Sequence, residues 1–360
     1  MTTFSMPALD DTRTWAFSIS ELTAGLRLRS NDPSLVIVEI REQTIPFRRP
    51  ARGWIHGLGV TCQTYAGLKF FNLMLKEPVG VTRTGTVGAG RREVNFYKYL
   101  RDYLPFATPH IVAAHPEGKW FVMETLEGGI SPDNWKASEY FLAIDQLANL
   151  HDRFWNLGED LRAYNWLSRP LDGDFGVYVK AAASGLGHLT SGSATDAPVY
   201  DAHTLRVMKK LVENADTIAG PLRHLPTTLI HGDYWPGNIY LNRQGDFVVF
   251  DWQKAGIGPA ILDLVNFVQL SQWWLERLPL SPQEIVWHYF ETMGAISGVH
   301  WEPDEWNKLW DYAFLWIFLA DWIDLIATSP NPIIYSRYDQ LERVWFEPVR
   351  QATSRILLKT

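Results

Sequence analysis

Cysteine is nearly absent from this chain of 360 residues: Cys62 is the only one. An intrachain disulfide is therefore impossible, and a reducing compartment is expected. Long apolar runs are absent too. The most apolar stretch, Tyr312 to Ile326, is broken by Asp321 and Asp324 and reads as a buried helix rather than a membrane span. Basic excess is missing: 33 Lys and Arg face 40 Asp and Glu, a formal net charge of −7. That balance argues against a nucleic-acid partner and fits a cationic or neutral small substrate better than an anionic one. The start, MTTFSMPALDDTRTWAF, has neither a basic n-region nor an apolar core, so no secretory signal is read and a cytoplasmic location without membrane attachment is expected. No internal repeat or low-complexity tract is visible, and oligomeric state leaves no mark. What is present, 46% hydrophobic and 20% charged residues, describes an ordinary globular protein with room for two packed lobes.

The most informative segment is His231-Gly-Asp-Tyr-Trp-Pro-Gly-Asn-Ile-Tyr240, followed by Val248-Val-Phe-Asp-Trp252. It sets Asp233 five residues before Asn238 and places Asp251 at the end of a β-type apolar run. Kinase-type phosphotransferases use that order, an H-x-D-x-x-x-x-N loop and then a strand ending in Asp. The chemistry calls for these residue types. One carboxylate accepts the proton of the attacking hydroxyl, while an amide and a second carboxylate supply hard oxygen ligands for Mg²⁺. The competing reading is a surface hairpin with turn residues Pro236 and Gly237 and solvated acids.

On these residues, HGDYWPGNIY and FVVFDWQ, the chain resembles the aminoglycoside phosphotransferase and choline kinase-like superfamily. The pairing of an HGD loop with a DxQ strand end also resembles its ecdysteroid kinase-like branch. The resemblance implies a two-lobe, protein-kinase-like α+β fold and ATP- or GTP-dependent phosphorylation of a hydroxyl on a small molecule, with Mg²⁺ on Asn238 and Asp251. It further implies that His231 braces the loop while Asp233 takes the proton. Asp263 matches a recurrent acid of the family, with helix N-terminal stabilisation as its alternative. His151 and Asp152 resemble a family helix motif, with core packing as the expected role.

Texture along the chain fits two lobes, residues 1–126 (a β-rich nucleotide-covering lobe with one helix) and 127–360 (catalytic loop, metal site and helical substrate pocket). Strand composition appears at Leu35–Ile40, Val60–Tyr65, Phe70–Lys76, Ile111–Ala114 and Trp120–Glu124, with helices at 18–27 and 91–103. Thr82–Gly90 reads as a mobile connection. Helices are then expected at 139–155, 202–216, 259–274, 282–293 and 304–326. Lys76 ends an apolar strand, where it would point at nucleotide phosphates, and Glu93 on the next helix would pair with it. The alternatives are a solvated strand end and an acid stabilising a helix N-terminus, and Lys69 and Glu77 are rivals. Gly53, Gly57 and Gly59 are either a phosphate-covering loop or an ordinary turn. Backbone groups of Glu124 and Leu126 would meet the adenine edge.

Asp251 is followed by Trp-Gln rather than Phe-Gly, and only eleven residues separate it from Asp263. That leaves no room for a long activation segment and disfavours a protein kinase. A silent nucleotide-binding regulator is opposed by the intact Asp233, Asn238 and Asp251. Trp306, Trp310, Phe314, Phe318 and Trp322 recur every four residues, a stripe that is usually core but can stack on sugars or hold cations. Asp321, Asp324 and Trp322 are the candidate acceptor-binding residues. A sugar, an aminoglycoside-like antibiotic, an amino alcohol and a steroid-like alcohol all remain open.

Overall fold

The computed structural model describes residues 15–44, 54–78, 88–191, 200–329, 334 and 336–357. The chain opens with helix α1 (Ile19–Ser30), started by a Ser18/Glu21 capping box and stopped at Asn31 in the left-handed region. Strands β1 (Val36–Gln43), β2 (Trp54–Thr64) and β3 (Gly67–Glu77) form an antiparallel meander. Helix α2 (Ala89–Tyr99) follows, then β4 (Ile111–Ala114) and β5 (Phe121–Glu124), giving a five-stranded sheet in the order β1-β2-β3-β5-β4. One hydrophobic cluster belongs to this part: Leu22 and Leu26 of α1 pack with Leu58, Leu73, Val112, Trp120 and Val122.

After Glu124 the chain is mainly helical. Helices α3 (Ala137–Arg153), α4 (a single turn, Gly158–Leu161), α5 (Phe175–Ser191), α6 (Ala202–Glu213) and α7 (Ala215–Arg223) precede the short strands β6 (Thr228–Ile230), β7 (Ile239–Leu241), β8 (Phe247–Val249) and β9 (Gly256–Gly258). β6 pairs with β9 and β7 with β8, so two small ladders bracket the conspicuous loop. Helices α8 (Ile261–Trp274), α9 (Pro282–Ser297), α10 (Pro303–Ile317) and α11 (Ile323–Thr328) complete a second, larger core, closed by helical segments between Tyr338 and Leu357. Antiparallel sheet on one side and helices on the other make this the kinase-like α+β fold. Among the described residues no helix is long and apolar enough to cross a membrane.

Several elements differ from the sequence expectation. The segment read as a phosphate-covering loop or a turn is, from Trp54 on, the first half of β2, paired with β3 throughout and with β1 from Gly57. At Gly59 the Gln43 side chain lies close over the backbone, its nitrogen 2.4 Å from where a Cβ would stand. Residues 79–87, holding most of the expected Thr82–Gly90 connection, lie outside the described residues, as does Gly53. Helix α5 was not expected, because three glycines in seventeen residues depress helix propensity. Packing overrides it. A Cβ at Gly185 would sit 3.0 Å from the Asp324 Cα, so the small residue lets α5 approach α11 closely. The helix expected over 304–326 is interrupted by one π-type turn at Phe318–Trp322.

Helix α1 seats on β4 through a glycine with no space above it. A Cβ on Gly25 would fall 1.8 Å from the Val112 carbonyl oxygen. Gly25→Ala is therefore expected to lose roughly 1–3 kcal/mol of stability, the range for forced overpacking, in urea unfolding. An unchanged midpoint would mean that α1 does not seat here in solution.

Candidate active site

The loop between β6 and β7 is built on one buried carboxylate. Asp263, on the first turn of α8, accepts the backbone N–H of His231 at 2.6 Å and of Gly232 at 2.7 Å. His151 of α3 lies 3.4 Å from the same carboxylate and bonds the Tyr289 hydroxyl at 2.8 Å through its other ring nitrogen. A fully buried charge is costly unless hydrogen bonds satisfy it, and here two main-chain donors do so. Gly232 must be glycine: its φ is +77° and a Cβ would meet the Lys254 carbonyl at 2.6 Å. Asn266 donates to the Gly232 carbonyl.

His231 ties the loop to the strand that follows. Its Nε2 pairs with the Phe250 carbonyl at 3.0 Å, and its Nδ1 accepts the Asp233 N–H at 3.2 Å. That pattern needs a neutral ring, and burial accordingly presses its pKa below the ordinary value. Asn238 donates from Nδ2 to the Asp233 carbonyl at 2.8 Å and carboxylate at 3.0 Å, while its own carbonyl accepts the Phe250 N–H. Asp233, Asn238 and the residue before Asp251 are thus one cross-linked unit.

The sheet delivers the other half. Lys76, near the end of β3, places Nζ 2.7 Å from Glu93 of α2 and 2.5 Å from Asp251. Burial pushes the Glu93 carboxyl up to about 7, against the pull of the Lys76 ammonium. Glu93 is buried in the body of α2, so helix N-terminal stabilisation is not its role here. The rivals lie elsewhere: Lys69 pairs with Asp32, and Glu77 lies beside His56. Asp251 is left-handed (φ +66°), an unusual state for a non-glycine residue. Helix α2 clamps the segment it begins. Arg92 donates to the carbonyls of Gln253 and Trp166, Phe96 stacks on Trp252 at 3.8 Å between ring centroids, and the Tyr97 hydroxyl accepts the Asp251 N–H. Sequence reasoning missed Arg92 and Tyr97. The one available signal was a charged residue beside Glu93 on a buried helix face.

Between the halves lies a cleft of about 540 Å³, within the usual range for small-ligand sites, lined by Ile55, Met74, Lys76, Leu126, Phe250 and Asp251 among others. Glu124 and Leu126 both line it. The Glu124 N–H is engaged by the His110 carbonyl, and its side chain by Arg29 and the His110 N–H. Gly57 and Gly59 sit in β2, opposite Met74 and Asn72, not in a loop over the cleft.

On the acceptor side, Trp322 is a correction: it is wedged between Trp273 and Trp345 in the core. Asp324 is buried beneath α5. Asp321 is bonded to Lys254 at 2.8 Å, and Lys254, which the sequence did not single out, runs beside Gly232. Among the described residues no three His, Cys, Asp or Glu side chains are grouped to hold a metal. Asp251 lines the cleft, and so do Gly237 and Ile239, the neighbours of Asn238.

A model of the APH phosphotransferase enzyme family matches residues 80–298. The chain belongs to this family. No curated protein matches it. Among solved structures it is similar to a Plasmodium vivax ethanolamine kinase (13% identity, 87% of this chain and 83% of that one, TM-score 0.57). It is also similar to the choline kinase LicA from Streptococcus pneumoniae (13% identity, 88% and 94%, TM-score 0.50). A third likeness is to the amicoumacin kinase hAmiN in complex with AMP-PNP, Ca²⁺ and Ami (14% identity, 85% and 87%, TM-score 0.50). At such identities the likeness shows the fold of this phosphotransferase. The finer resemblance to the ecdysteroid kinase-like branch rests on the HGD and DWQ residues alone.

The buried ring gives this enzyme a pH signature. With His231 held below its ordinary value of 6.5, the unfolded chain takes up a proton under that pH which the folded loop refuses. The stability due to the neutral ring is therefore present above pH 6.5 and lost as pH falls. Thermal unfolding of the wild type is expected to weaken more steeply between pH 7 and 5 than that of His231→Gln. Parallel pH profiles would contradict this.

Proposed function

We propose that this phosphotransferase is a small-molecule kinase that moves the terminal phosphoryl group of ATP, or GTP, to an alcohol. Asp233 would orient the acceptor hydroxyl and take its proton, and His231 and Asp263 would hold Asp233 in place. Lys76, steadied by Glu93, would bind the nucleotide phosphates. Backbone groups of Glu124 and Leu126 would face the purine, with the lobe division near residue 126. The observation that carries this reading is the position of Lys76, which reaches from the sheet to Asp251 within 2.5 Å while Asn238 ties the next strand to Asp233.

Asn238 and Asp251 fit a divalent cation, proposed as Mg²⁺. With Nδ2 donating to Asp233, the oxygen end of the Asn238 amide is the donor to a metal. An amide and a carboxylate are a sparse set, which suits Mg²⁺ because that ion usually takes few protein ligands and completes its shell with phosphates and water. When bound, it supplies charge neutralisation at the nucleotide phosphates. The AMP-PNP and Ca²⁺ held by the amicoumacin kinase support a nucleotide and a divalent cation here. The ethanolamine, choline and amicoumacin kinases support a small hydroxylated acceptor. With Asp321 engaged by Lys254, a hydroxyl-rich or amino alcohol acceptor would meet the pair rather than a lone acid. A protein-kinase role is disfavoured because α8 begins soon after Asp251.

Nucleotide consumption with Mg²⁺, measured against amino alcohols, aminoglycosides, sugars and sterols, tests the reading. Asp233→Asn is expected to lose about 10²–10⁴ in turnover, the range for removing a general base, with nucleotide affinity nearly intact. Full activity in that variant would refute the role given to Asp233. Asp251→Asn is expected to weaken metal-dependent nucleotide binding, and equal Mg²⁺ dependence in calorimetry would refute the ligand assignment.

A further inference from the structure

We infer that Tyr97 is a positioning residue for phosphoryl transfer, its hydroxyl fixing the backbone of Asp251 in the orientation a metal ligand needs. The inference rests on the proposed role of Asp251. Tyr97 sits on α2, one turn after Glu93, and is 2% exposed. Its hydroxyl accepts the Asp251 N–H at 3.3 Å. A buried hydroxyl that accepts a main-chain N–H is a directed contact, because a phenylalanine would fill the same space without the bond.

The need for such a contact lies in the Asp251 backbone. A non-glycine residue in the left-handed region is strained and persists only where its surroundings hold it. Asp251 has three such restraints: its N–H on Tyr97, Oδ1 on Lys76 and Oδ2 accepting from Gln253 at 3.2 Å. Two of these act on the carboxylate itself, which a cation and phosphates would have to share or displace. Of these three, the Tyr97 bond grips the main chain and is left untouched when the side chain changes partners. Tyr97 also links α2, the helix that supplies Glu93, to the strand end that supplies Asp251. Phe96 on Trp252 and Arg92 on the Gln253 carbonyl reinforce the same seam.

The test is Tyr97→Phe in the full chain, with ATP affinity measured by calorimetry across a Mg²⁺ series and in EDTA, and with the thermal midpoint of the free protein. Groups that orient a metal ligand typically change metal affinity by 10–100-fold when removed. The Mg²⁺ concentration for half-maximal ATP binding is expected to rise by about 10-fold or more, with ATP affinity in EDTA unchanged. A lowered thermal midpoint with an unshifted Mg²⁺ dependence would overturn the inference and make Tyr97 a packing residue. Equal loss of ATP affinity with and without Mg²⁺ would overturn it as well. If wild-type protein itself shows no Mg²⁺-dependent ATP binding, the role of Asp251 falls, and this inference with it. If the wild type shows it and Tyr97→Phe matches the wild type, only the inference fails.

Discussion

Lys76 stands between two carboxylates, and the sheet and the helices of this protein meet at that point. A buried ammonium is tolerable only with anionic partners. Glu93 comes from the helix that follows β3, whereas Asp251 lies 175 residues further along the chain. That second contact demands that the strand end carrying Asp251 be brought under the sheet, and the α2 clamp through Arg92, Phe96 and Tyr97 does this. One cation facing two acids leaves a local negative charge. The burden falls on Glu93, whose carboxyl is pushed up by burial. A ligand that offers a metal to Asp251 and phosphates to Lys76 would relieve it, which is why the arrangement suits a metal–nucleotide complex.

The loop beneath is rigid for a different reason. Two consecutive main-chain N–H groups end on Asp263, a neutral histidine spans to the next strand, and Asn238 closes the ring around Asp233. The second core supports it from behind through His151 and Tyr289. Geometry of this kind lets a site hold a reacting hydroxyl in one orientation, since little is left to reorganise when a substrate arrives.

Much of this was legible in the sequence because it rests on polar residue types at fixed spacing. Asp233, Asn238 and Asp251 follow from such spacing, and Lys76 follows from an apolar strand ending in a cation. Tyr97 was not legible: on the same face as Val94 and Leu100 it reads as core, and only the fold brings its hydroxyl to the Asp251 N–H. The glycines at 57 and 59 misled because glycine marks loops more often than strands, and here both stand in β2. Helix α5 escaped because its glycines serve packing against α11. The aromatic run from Trp306 to Trp322 sits largely in the core, where Phe314 and Trp322 pack on Trp345. The proposed acceptor side is the part least written in residue types, since an acid such as Asp321 shows its lysine partner only in three dimensions.

The most direct measurement of the central claim is ATP binding by the wild-type protein, by calorimetry, with Mg²⁺ and again in EDTA. Saturable binding that strengthens markedly with Mg²⁺ is expected, because Asp251 and Asn238 would meet the nucleotide through the metal. Absence of binding, or binding indifferent to Mg²⁺, would contradict it.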